Sequence, residues 1–341
     1  MLPGKNIKRK KLYRIIGFLA VFFISVFVYR LTAATSVFWL DSGIYLPAVK
    51  EFGIAYPPGY PIYIILAKLW SLLPLPGMDF TLKVNWLSGV FSAIAAGFLY
   101  LILTRLFKSF EKSGFFGIKN IIALATSFGF SFSHSLWYQS TYSEVYSLAA
   151  LFVAIIIYCL LLFLEEPIGL NSAFTPRQKK MILMIAVTYG LSFANHPMTV
   201  EMLPLFAWLI WKLKRAWRTN KHFLIFCFFL FLVSGLLPYV YMPYRASQMP
   251  YMNWGNPQNL TNFINHIAAR DSVSGGSFAF LNGKFFENVF NWINLTYLQF
   301  FITGSVFLII GLGARLAAAP QFKKSLLLIA GGTVFWSIFY V

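Results

Sequence analysis

Long runs of apolar residues, separated by short polar segments, limit what this chain can fold into more than any other feature. A helix needs about 20 apolar residues to cross the hydrocarbon core of a bilayer. Only 11% of the 341 residues are charged, against about 25% in a typical soluble domain. The sequence therefore predicts an all-α polytopic membrane protein, a single domain over residues 1–341. About nine spans are predicted, at 12–32, 84–106, 119–134, 143–164, 181–194, 199–211, 222–243, 291–314 and 325–341.

The basic residues predict how these spans are oriented. If the apolar run 59–75 is a hairpin that does not cross, 21 of the 28 Lys and Arg residues fall in loops on one side. Basic residues concentrate in cytoplasmic loops, so the N-terminus is predicted to be cytoplasmic. Residues 33–83, with an interfacial helix and the hairpin, and residues 244–290 are then predicted to form outer loops.

The two ends of the chain and its net charge each allow an alternative. Residues 1–32 could be a signal peptide cleaved near "TAAT", but their apolar run exceeds the 7–15 residues of such signals, which favours an uncleaved anchor. The last apolar run reaches Val341 without a polar flank, so we expect a truncated chain.

The net charge of +18 could suggest that the protein binds nucleic acid. However, the basic residues lie in short clusters between spans instead of on one polar domain, so no nucleic-acid partner is predicted.

The stretch "WLDSGIYLPAVKEFGIAYPPGYP", residues 39–61, places Asp41 and Glu51 in a chain with only ten acidic residues. Asp41 could simply cap a helix, or it could serve a functional site, as ionisable groups near membranes often do. The helix after it is predicted to end at Pro57-Pro58 and to lie with its apolar face in lipid. That face is formed by Tyr45, Ala48, Val49 and Phe52.

Several further segments carry a family resemblance. They are "YPPGYPIYIILAKLWSLLP", "VNWLSGVFSAIAAGFLYLILTRLF", "SHSLWYQSTYSEVYSL" (133–148), "YGLSFANHPM" (189–198) and "LPYVYMPYRASQMPYMNWGNP" (237–257). Together with the outer-loop Asp, they resemble the GT-C membrane glycosyltransferases over roughly residues 10–275. Within that superfamily, the chain is most similar to bacterial relatives of the transmembrane protein O-mannosyltransferase family that acts on IPT domains.

The resemblance implies a GT-C-like helical bundle on the bacterial cytoplasmic membrane, with its active site on the outer face. It implies transfer of a sugar, a mannose-like hexose, from a polyprenyl-phosphate donor to a hydroxyl of a protein or glycan acceptor. Many members carry Asp-Glu at the outer-loop motif, whereas this chain has Asp41-Ser42. The part of the second carboxylate is therefore left to Glu51 or Glu144, if one is needed.

The residue types suit this chemistry. A carboxylate must accept the proton of a weakly nucleophilic hydroxyl, and Asp41 is the predicted catalytic base. The leaving phosphate needs cationic or hydrogen-bonding donors, and Arg245 is the first candidate, although it could be an interfacial Arg that snorkels within an aromatic belt. The other predicted phosphate-binding residues are Lys83, Arg270 and His196.

Sugar or acceptor binding is predicted for residues at the outer span ends. Glu144 lies in an aromatic cluster, although it could merely be a first-turn Glu favoured by the helix dipole. The predicted binding residues are Glu144, Glu51, Tyr60, Trp137 and Tyr138. No cofactor is expected, and a metal site is not supported, because His134 and His196 lack a Cys or second His at ligand spacing.

Two other function classes compete with the enzyme. A transporter or flippase of lipid-linked sugars would place polar or broken helices at the bilayer midplane. The charges of this chain lie at span ends instead, which favours the enzyme. A non-catalytic assembly protein is the third possibility, and in it Asp41 would be only a helix cap.

Overall fold

The structure, a computed structural model, describes residues 3–39, 41–106, 117–170 and 172–270, with residues 287, 290, 291 and 294 beyond them. Within these residues the chain forms twelve α-helices. They are α1 (Pro3–Thr32), α2 (Ser42–Glu51), α3 (Pro61–Ser71), α4 (Phe80–Leu106), α5 (Ile118–Ser131), α6 (His134–Ser140), α7 (Tyr146–Leu164), α8 (Pro176–Phe193), α9 (Leu203–Leu213), α10 (Trp217–Leu236), α11 (Tyr241–Ser247) and α12 (Leu260–Ile267).

Four apolar segments are long enough to cross a membrane: Lys11–Thr32, Phe80–Leu106, Tyr146–Leu164 and the continuous helical run Pro197–Ser247. The polytopic, all-helical class predicted from the sequence is therefore confirmed for the described part of the chain. The predicted spans 12–32, 84–106 and 143–164 fall on α1, α4 and α7, and the spans 119–134, 181–194, 199–211 and 222–243 fall on α5, α8, α9 and α10. The spans predicted at 291–314 and 325–341 lie outside the described residues.

Contacts between the first helices fix their relative directions. Trp86, early in α4, donates to the carbonyl of Val26, late in α1. Tyr100, late in α4, donates to the carbonyl of Tyr13, early in α1. The helices α1 and α4 are therefore antiparallel.

The α7 helix runs parallel to α4. The backbone N–H of Glu144, just before α7, donates to Ser88 near the start of α4. At the other ends of the two helices, Arg105 and Glu165 form an ion pair at 2.5 Å. The start of each helix is therefore at the same end of the bundle.

The α8 helix returns antiparallel to α7, and α10 runs parallel to α8. The Asn195 side chain, after α8, donates to the carbonyl of Val145, before α7. The Asn220 side chain, early in α10, accepts the N–H of Phe174, just before α8. The connections that follow these helices therefore lie alternately at one end of the bundle and at the other.

This alternation sorts the connections into two sets. Residues 33–39, 41–60, 132–145, 194–202 and 237–270 meet at one end, which we call the site end, and Arg105, Glu165 and Arg177 lie at the opposite end. Where the structure describes them, the connections predicted to be outer loops thus share one end, and α1, which follows the predicted cytoplasmic N-terminus, begins at the opposite end. The assignment of the site end to the outer face stays a prediction.

Cysteine labelling tests that assignment. We expect Met78→Cys to react with a membrane-impermeant maleimide from outside intact cells, and Ser172→Cys, at the opposite end, to react only after permeabilisation. Background labelling should be low because Cys159 and Cys227 are both buried. The reverse pattern of accessibility would contradict the predicted orientation.

The apolar run 59–75 forms α3 and a turn. At 11 residues, α3 is only about 16 Å long, about half of the hydrocarbon thickness. It folds back onto α4, where the ammonium group of Lys83 donates to the carbonyls of Ser71 and Leu73, both at 3.1 Å. Lys83 therefore caps the C-terminal end of α3.

Two predictions about α2 are wrong. Its predicted lipid-facing side chains Tyr45, Ala48 and Val49 are fully buried in the protein core, against residues of α3 and α4. The helix also ends at Glu51 instead of at Pro57-Pro58. Phe52 adopts a left-handed conformation, and the N–H groups of Phe52 and Gly53 bond to the carbonyls of Val49 and Ala48, a Schellman motif that closes the helix.

Candidate active site

Asp41 stands at the start of α2, but its carboxylate does not cap that helix. The Asp41 backbone carbonyl accepts the N–H groups of Ile44 and Tyr45, while the side chain makes no capping hydrogen bond. Its Oδ2 instead accepts the hydroxyl of Tyr56 at 2.8 Å. Asp79 behaves differently, since its Oδ1 accepts the N–H of Leu82 at 2.7 Å and caps α4. The Asp41 carboxylate is thus available for a role other than capping.

Tyr56, which donates to this carboxylate, belongs to a cluster of three tyrosines. The ring of Tyr45 lies 6.1 Å from that of Tyr56 and 5.4 Å from that of Tyr60, and Tyr56 and Tyr60 are 5.2 Å apart. The hydroxyls of Tyr45 and Tyr56 lie 3.2 Å apart. Burial raises the pKa of all three phenols, so each keeps its proton at neutral pH. Tyr56 can therefore only donate to Asp41.

Glu144 supplies a second carboxyl group near Asp41. It is only 3% exposed, in the turn before α7, where its backbone N–H donates to Ser88 at 3.1 Å. Burial, and secondly the negative charge of Asp41, raise the pKa of Glu144 from 4.5 to about 8. At neutral pH, Glu144 is mostly protonated beside Asp41. Glu51 lies at the far end of α2 with an exposed side chain, so Glu144 is the carboxyl group that the fold brings to Asp41.

Buried amides hold the loops of the site together. Asn85 on α4 accepts both the N–H and the hydroxyl of Ser143, at 2.9 and 2.6 Å, and donates to the carbonyl of Ala34 at 2.8 Å. Asn195 donates to the carbonyl of Val145 at 3.0 Å. No role for Asn85 was predicted from the sequence. The feature of the sequence that could have indicated a role is an amide near the start of an apolar span, where polar groups are costly. In the structure this amide is fully buried.

His196 joins the cluster through its ring. The imidazole stacks on Tyr60 at 5.6 Å, and its centroid is 5.1 Å from that of Tyr146. Its Nδ1 accepts the N–H of Met198 at 3.0 Å, and burial lowers the pKa of His196 to about 4. The imidazole is therefore neutral at physiological pH, with its proton on Nε2. It can donate one hydrogen bond, but it cannot supply a full positive charge to a phosphate.

Arg245 contacts the end of α2. Its Nε donates to the carbonyl of Phe52 at 2.8 Å and one Nη to the carbonyl of Glu51 at 2.9 Å. The other Nη donates to the side chain of Gln248. All three guanidinium nitrogens thus have protein partners, and the predicted phosphate role of Arg245 stays a prediction.

The other two predicted phosphate ligands lie in different surroundings. Lys83 caps α3, as described above. Arg270 follows α12 and donates to the side chain of Asn265 at 3.2 Å. Neither contact connects its residue to Asp41, and their predicted roles also remain predictions.

The two aromatic residues predicted on α6 lie on different sides of that helix. The indole N–H of Trp137 donates to Thr32 at the end of α1. Tyr138 lies 5.0 Å from Tyr142 and 5.9 Å from Phe38, measured between ring centroids. Burial, and then the charge of Glu144, raise the pKa of Tyr142. Tyr138 is thus separated from the carboxyl groups by one ring, whereas Trp137 packs towards α1.

Within the described ranges, no group of three or more His, Cys, Asp or Glu side chains could hold a metal ion. The arrangement offers instead one carboxylate, one protonated carboxyl group and one neutral imidazole among buried tyrosines. The expectation that no metal is required stays a prediction.

These features define a class: a polytopic helical membrane protein with two coupled carboxyl groups where the helices meet their connecting loops. The family model for the protein O-mannosyl-transferase TMEM260 N-terminal domain matches residues 41–220, more than half of the chain, and the chain belongs to this family. The matched residues begin at Asp41 and include Glu144 and His196.

Two relatives agree with the family. The chain is 32% identical over 255 residues to protein O-mannosyl-transferase TMEM260 of Mus musculus, covering 74% of this chain and 33% of the relative. It is 24% identical over 310 residues to protein O-mannosyl-transferase tmem260 of Dictyostelium discoideum, covering 87% of this chain and 36% of the relative. The chain thus spans about a third of the length of these relatives. No solved structure matches it significantly.

The predicted resemblance to transmembrane O-mannosyltransferases is thereby confirmed. The bacterial and GT-C parts of that resemblance stay predictions, because both relatives are eukaryotic and neither they nor the family model names a GT-C architecture. The bacterial membrane therefore stays a prediction.

Proposed function

We propose that this chain is the membrane domain of a protein O-mannosyltransferase. It would transfer mannose from a polyprenyl-phosphate carrier to a protein hydroxyl on the outer face of the membrane. The observation that carries the proposal is the environment of the Asp41 carboxylate. This group does not cap α2, accepts a hydrogen bond from Tyr56 and lies close to the buried carboxyl group of Glu144. The relatives are named protein O-mannosyl-transferases, which supports the reaction class.

In the proposed reaction, Asp41 is the general base. It takes the proton of the acceptor hydroxyl while the acceptor oxygen bonds to C1 of the mannose. The bond between C1 and the phosphate oxygen breaks, and its electron pair leaves with the lipid phosphate. A positioned base contributes about 10²- to 10⁴-fold to such a rate. Tyr56 holds the carboxylate in one orientation through its hydroxyl.

The departing phosphate needs hydrogen-bond donors, because charge develops on its oxygen. Of the four residues predicted for this role, His196 is the one whose described contacts lie within the tyrosine cluster, through Tyr60. We assign its Nε2–H to a phosphate or sugar oxygen. A neutral donor suits a buried position, where an uncompensated positive charge would be costly.

The place of the cluster also suits a lipid-linked donor. Asp41, Glu144 and His196 precede α2, α7 and the helical run Pro197–Ser247, all at the site end of the bundle. A polyprenyl phosphate keeps its chain in the bilayer and its sugar at the surface, so the sugar lies level with helix ends. Charges at helix ends also argue against the transporter alternative, which would use the midplane.

Reconstituted protein tests the proposal. Proteoliposomes containing the chain would receive a short polyprenyl-phosphate mannose and an acceptor protein, and the acceptor mass would be measured. We expect the acceptor to gain one hexose, and we expect no gain with GDP-mannose as the donor. If the chain moved the donor across the bilayer without glycosylating the acceptor, it would be a transporter and the proposal would be wrong.

A further inference from the structure

The segment of residues 51–56, which we call the connecting segment, joins the end of α2 to Tyr56. Arg245 holds its beginning. The Nε and one Nη of Arg245 donate to the carbonyls of Phe52 and Glu51, at 2.8 and 2.9 Å. The guanidinium carbon also lies 5.7 Å from the centre of the Phe52 ring. One side chain thus binds two consecutive carbonyls and the ring beside them.

The middle of the connecting segment is held by neighbours of Arg245 in sequence. The Tyr241 hydroxyl donates to the carbonyl of Gly53 at 3.2 Å. The N–H of Ile54 donates to the carbonyl of Met252 at 2.7 Å, and the N–H of Trp254 donates back to the carbonyl of Ile54 at 3.3 Å. Together these bonds form a short parallel bridge between the connecting segment and the loop after α11.

The bridge leaves no room for a side chain at Gly53. A Cβ atom there would lie 2.3 Å from the carbonyl oxygen of Met252. The close approach of the two backbones fixes the position of the connecting segment relative to the loop after α11. The middle of the connecting segment is therefore placed as firmly as its beginning.

The end of the connecting segment carries the hydrogen-bond donor of the site. Tyr56 follows Ile54 by two residues, and its hydroxyl donates to Asp41 at 2.8 Å. Its ring also lies 6.2 Å from that of Trp254, which belongs to the same bridge. A displacement of the connecting segment would therefore move Tyr56 relative to Asp41.

Arginine suits the beginning of this segment for two reasons. The last carbonyls of α2 form the negative end of the helix dipole, which favours a cation. The planar guanidinium also donates to the two carbonyls from two rigidly spaced nitrogens while it lies over the Phe52 ring, whereas the ammonium group of lysine donates from a single nitrogen. Both reasons concern α2 and neither requires a bound phosphate.

We propose that Arg245 is a positioning residue, which orients the catalytic carboxylate of Asp41 through the connecting segment and Tyr56. The proposal rests on the proposed function, because it assigns Asp41 the role of the base. It differs from a phosphate-binding role in what a substitution changes. Misplacement of a catalytic group lowers kcat, whereas the loss of a ground-state contact to the donor raises its KM and weakens its binding.

Kinetics with four variants separate the two roles. We expect Arg245→Lys to lower kcat at least tenfold, since misplacement by about 1 Å can cost 10²-fold, with the donor KM within about twofold of the parent. Tyr241→Phe removes only the hydroxyl that binds Gly53 and should show the same pattern more weakly. Tyr56→Phe should lower kcat as well. The double variant of Tyr56→Phe and Arg245→Lys should be no slower than the slower single variant, because both act through one contact.

Arg218→Lys, at the exposed opposite end of the bundle, is the matched control and should behave as the parent. If Arg245→Lys raises the donor KM and the Kd for polyprenyl-phosphate mannose while its effect multiplies with that of Tyr56→Phe, Arg245 binds the phosphate and the inference is wrong.

Hydrogen exchange tests the same inference without activity. We expect the amides of Ile54 and Trp254 to exchange at least tenfold faster in Arg245→Lys than in the parent, and at the parental rate in Arg218→Lys. Unchanged exchange at both amides would overturn the inference even if the transfer reaction were confirmed. Conversely, faster exchange in a chain that transfers no sugar would sink the proposed function and leave the contact of Arg245 with the connecting segment standing.

Discussion

Asp41→Asn is expected to lower the rate of sugar transfer by about 10²- to 10⁴-fold without loss of folding or of donor binding. Asparagine has nearly the shape of aspartate, but its amide cannot accept the acceptor proton at neutral pH. Its carbonyl oxygen can still accept the hydroxyl of Tyr56, so the site should keep its shape. The measurement is the single-turnover rate with saturating donor, beside the melting temperature and the donor Kd.

The structure sharpens this test because Asp41 does not cap α2 through its side chain. Asp41→Ala therefore removes no helix cap, which would cost about 1 kcal/mol, and its effect on stability should come from the Tyr56 hydroxyl that loses its acceptor, about 1–3 kcal/mol. Asp79 is the matched control, because its carboxylate does cap α4. Asp79→Asn should keep parental activity, and Asp79→Ala should lose stability but not activity. Transfer by Asp41→Asn at a near-parental rate would show that the base lies elsewhere.

Much of the candidate site could be predicted from the sequence, for identifiable reasons. An acid in an outer connection of a chain with few acids is conspicuous, and both Asp41 and Glu144 were found in this way. Their proximity was not evident, because it depends on the parallel course of α4 and α7, which brings Ser88 to Glu144. The relative directions of helices emerge from packing and not from periodicity.

The residues that organise the site were harder to predict. Tyr56 stands before Pro57-Pro58, where the sequence indicates only a turn, and Asn85 lies near the start of an apolar run. Each acts across a large sequence separation, such as 58 residues between Asn85 and Ser143. Local pattern carries no information about such a partner. The pattern shows only that an amide lies in an apolar run, where it needs a hydrogen-bond partner once it is buried.

The two wrong predictions about α2 have a common physical cause. An amphipathic pattern shows that one face of a helix avoids water, but lipid and protein core satisfy that face equally well. The Tyr45 face therefore packs into the core, although the pattern allowed the membrane interface. The early end of the helix depends on Phe52 in a left-handed conformation, which non-glycine residues adopt uncommonly. Pro57 follows a helix that has already ended, and Pro47 lies inside it, so neither proline marks the end of α2.

Glu144 supplies the second large effect, a loss of activity at alkaline pH. With the pKa of Glu144 at about 8, its protonated fraction falls about tenfold between pH 7 and pH 9. We expect the transfer rate to fall by a similar factor, because ionised Glu144 loses its O–H donor and places a second negative charge near Asp41. Glu144→Gln imitates the protonated form, so this variant should keep its rate up to pH 9.

The same shift predicts how stability depends on pH. The pKa of Glu144 is raised from 4.5 to about 8 in the folded protein, so between these values the folded state holds a proton that the unfolded state releases. Its contribution to stability is complete below pH 4.5 and declines as pH rises to about 8, where it is lost. The melting temperature of the parent relative to Glu144→Gln should therefore fall across this interval.

Glu166, paired with Arg177 at the opposite end, provides the control for activity, and Glu166→Gln should keep the parental rate profile at alkaline pH. If Glu144→Gln lost activity at every pH, the reaction would need the ionised form of Glu144, and the neutral role assigned to it here would be wrong.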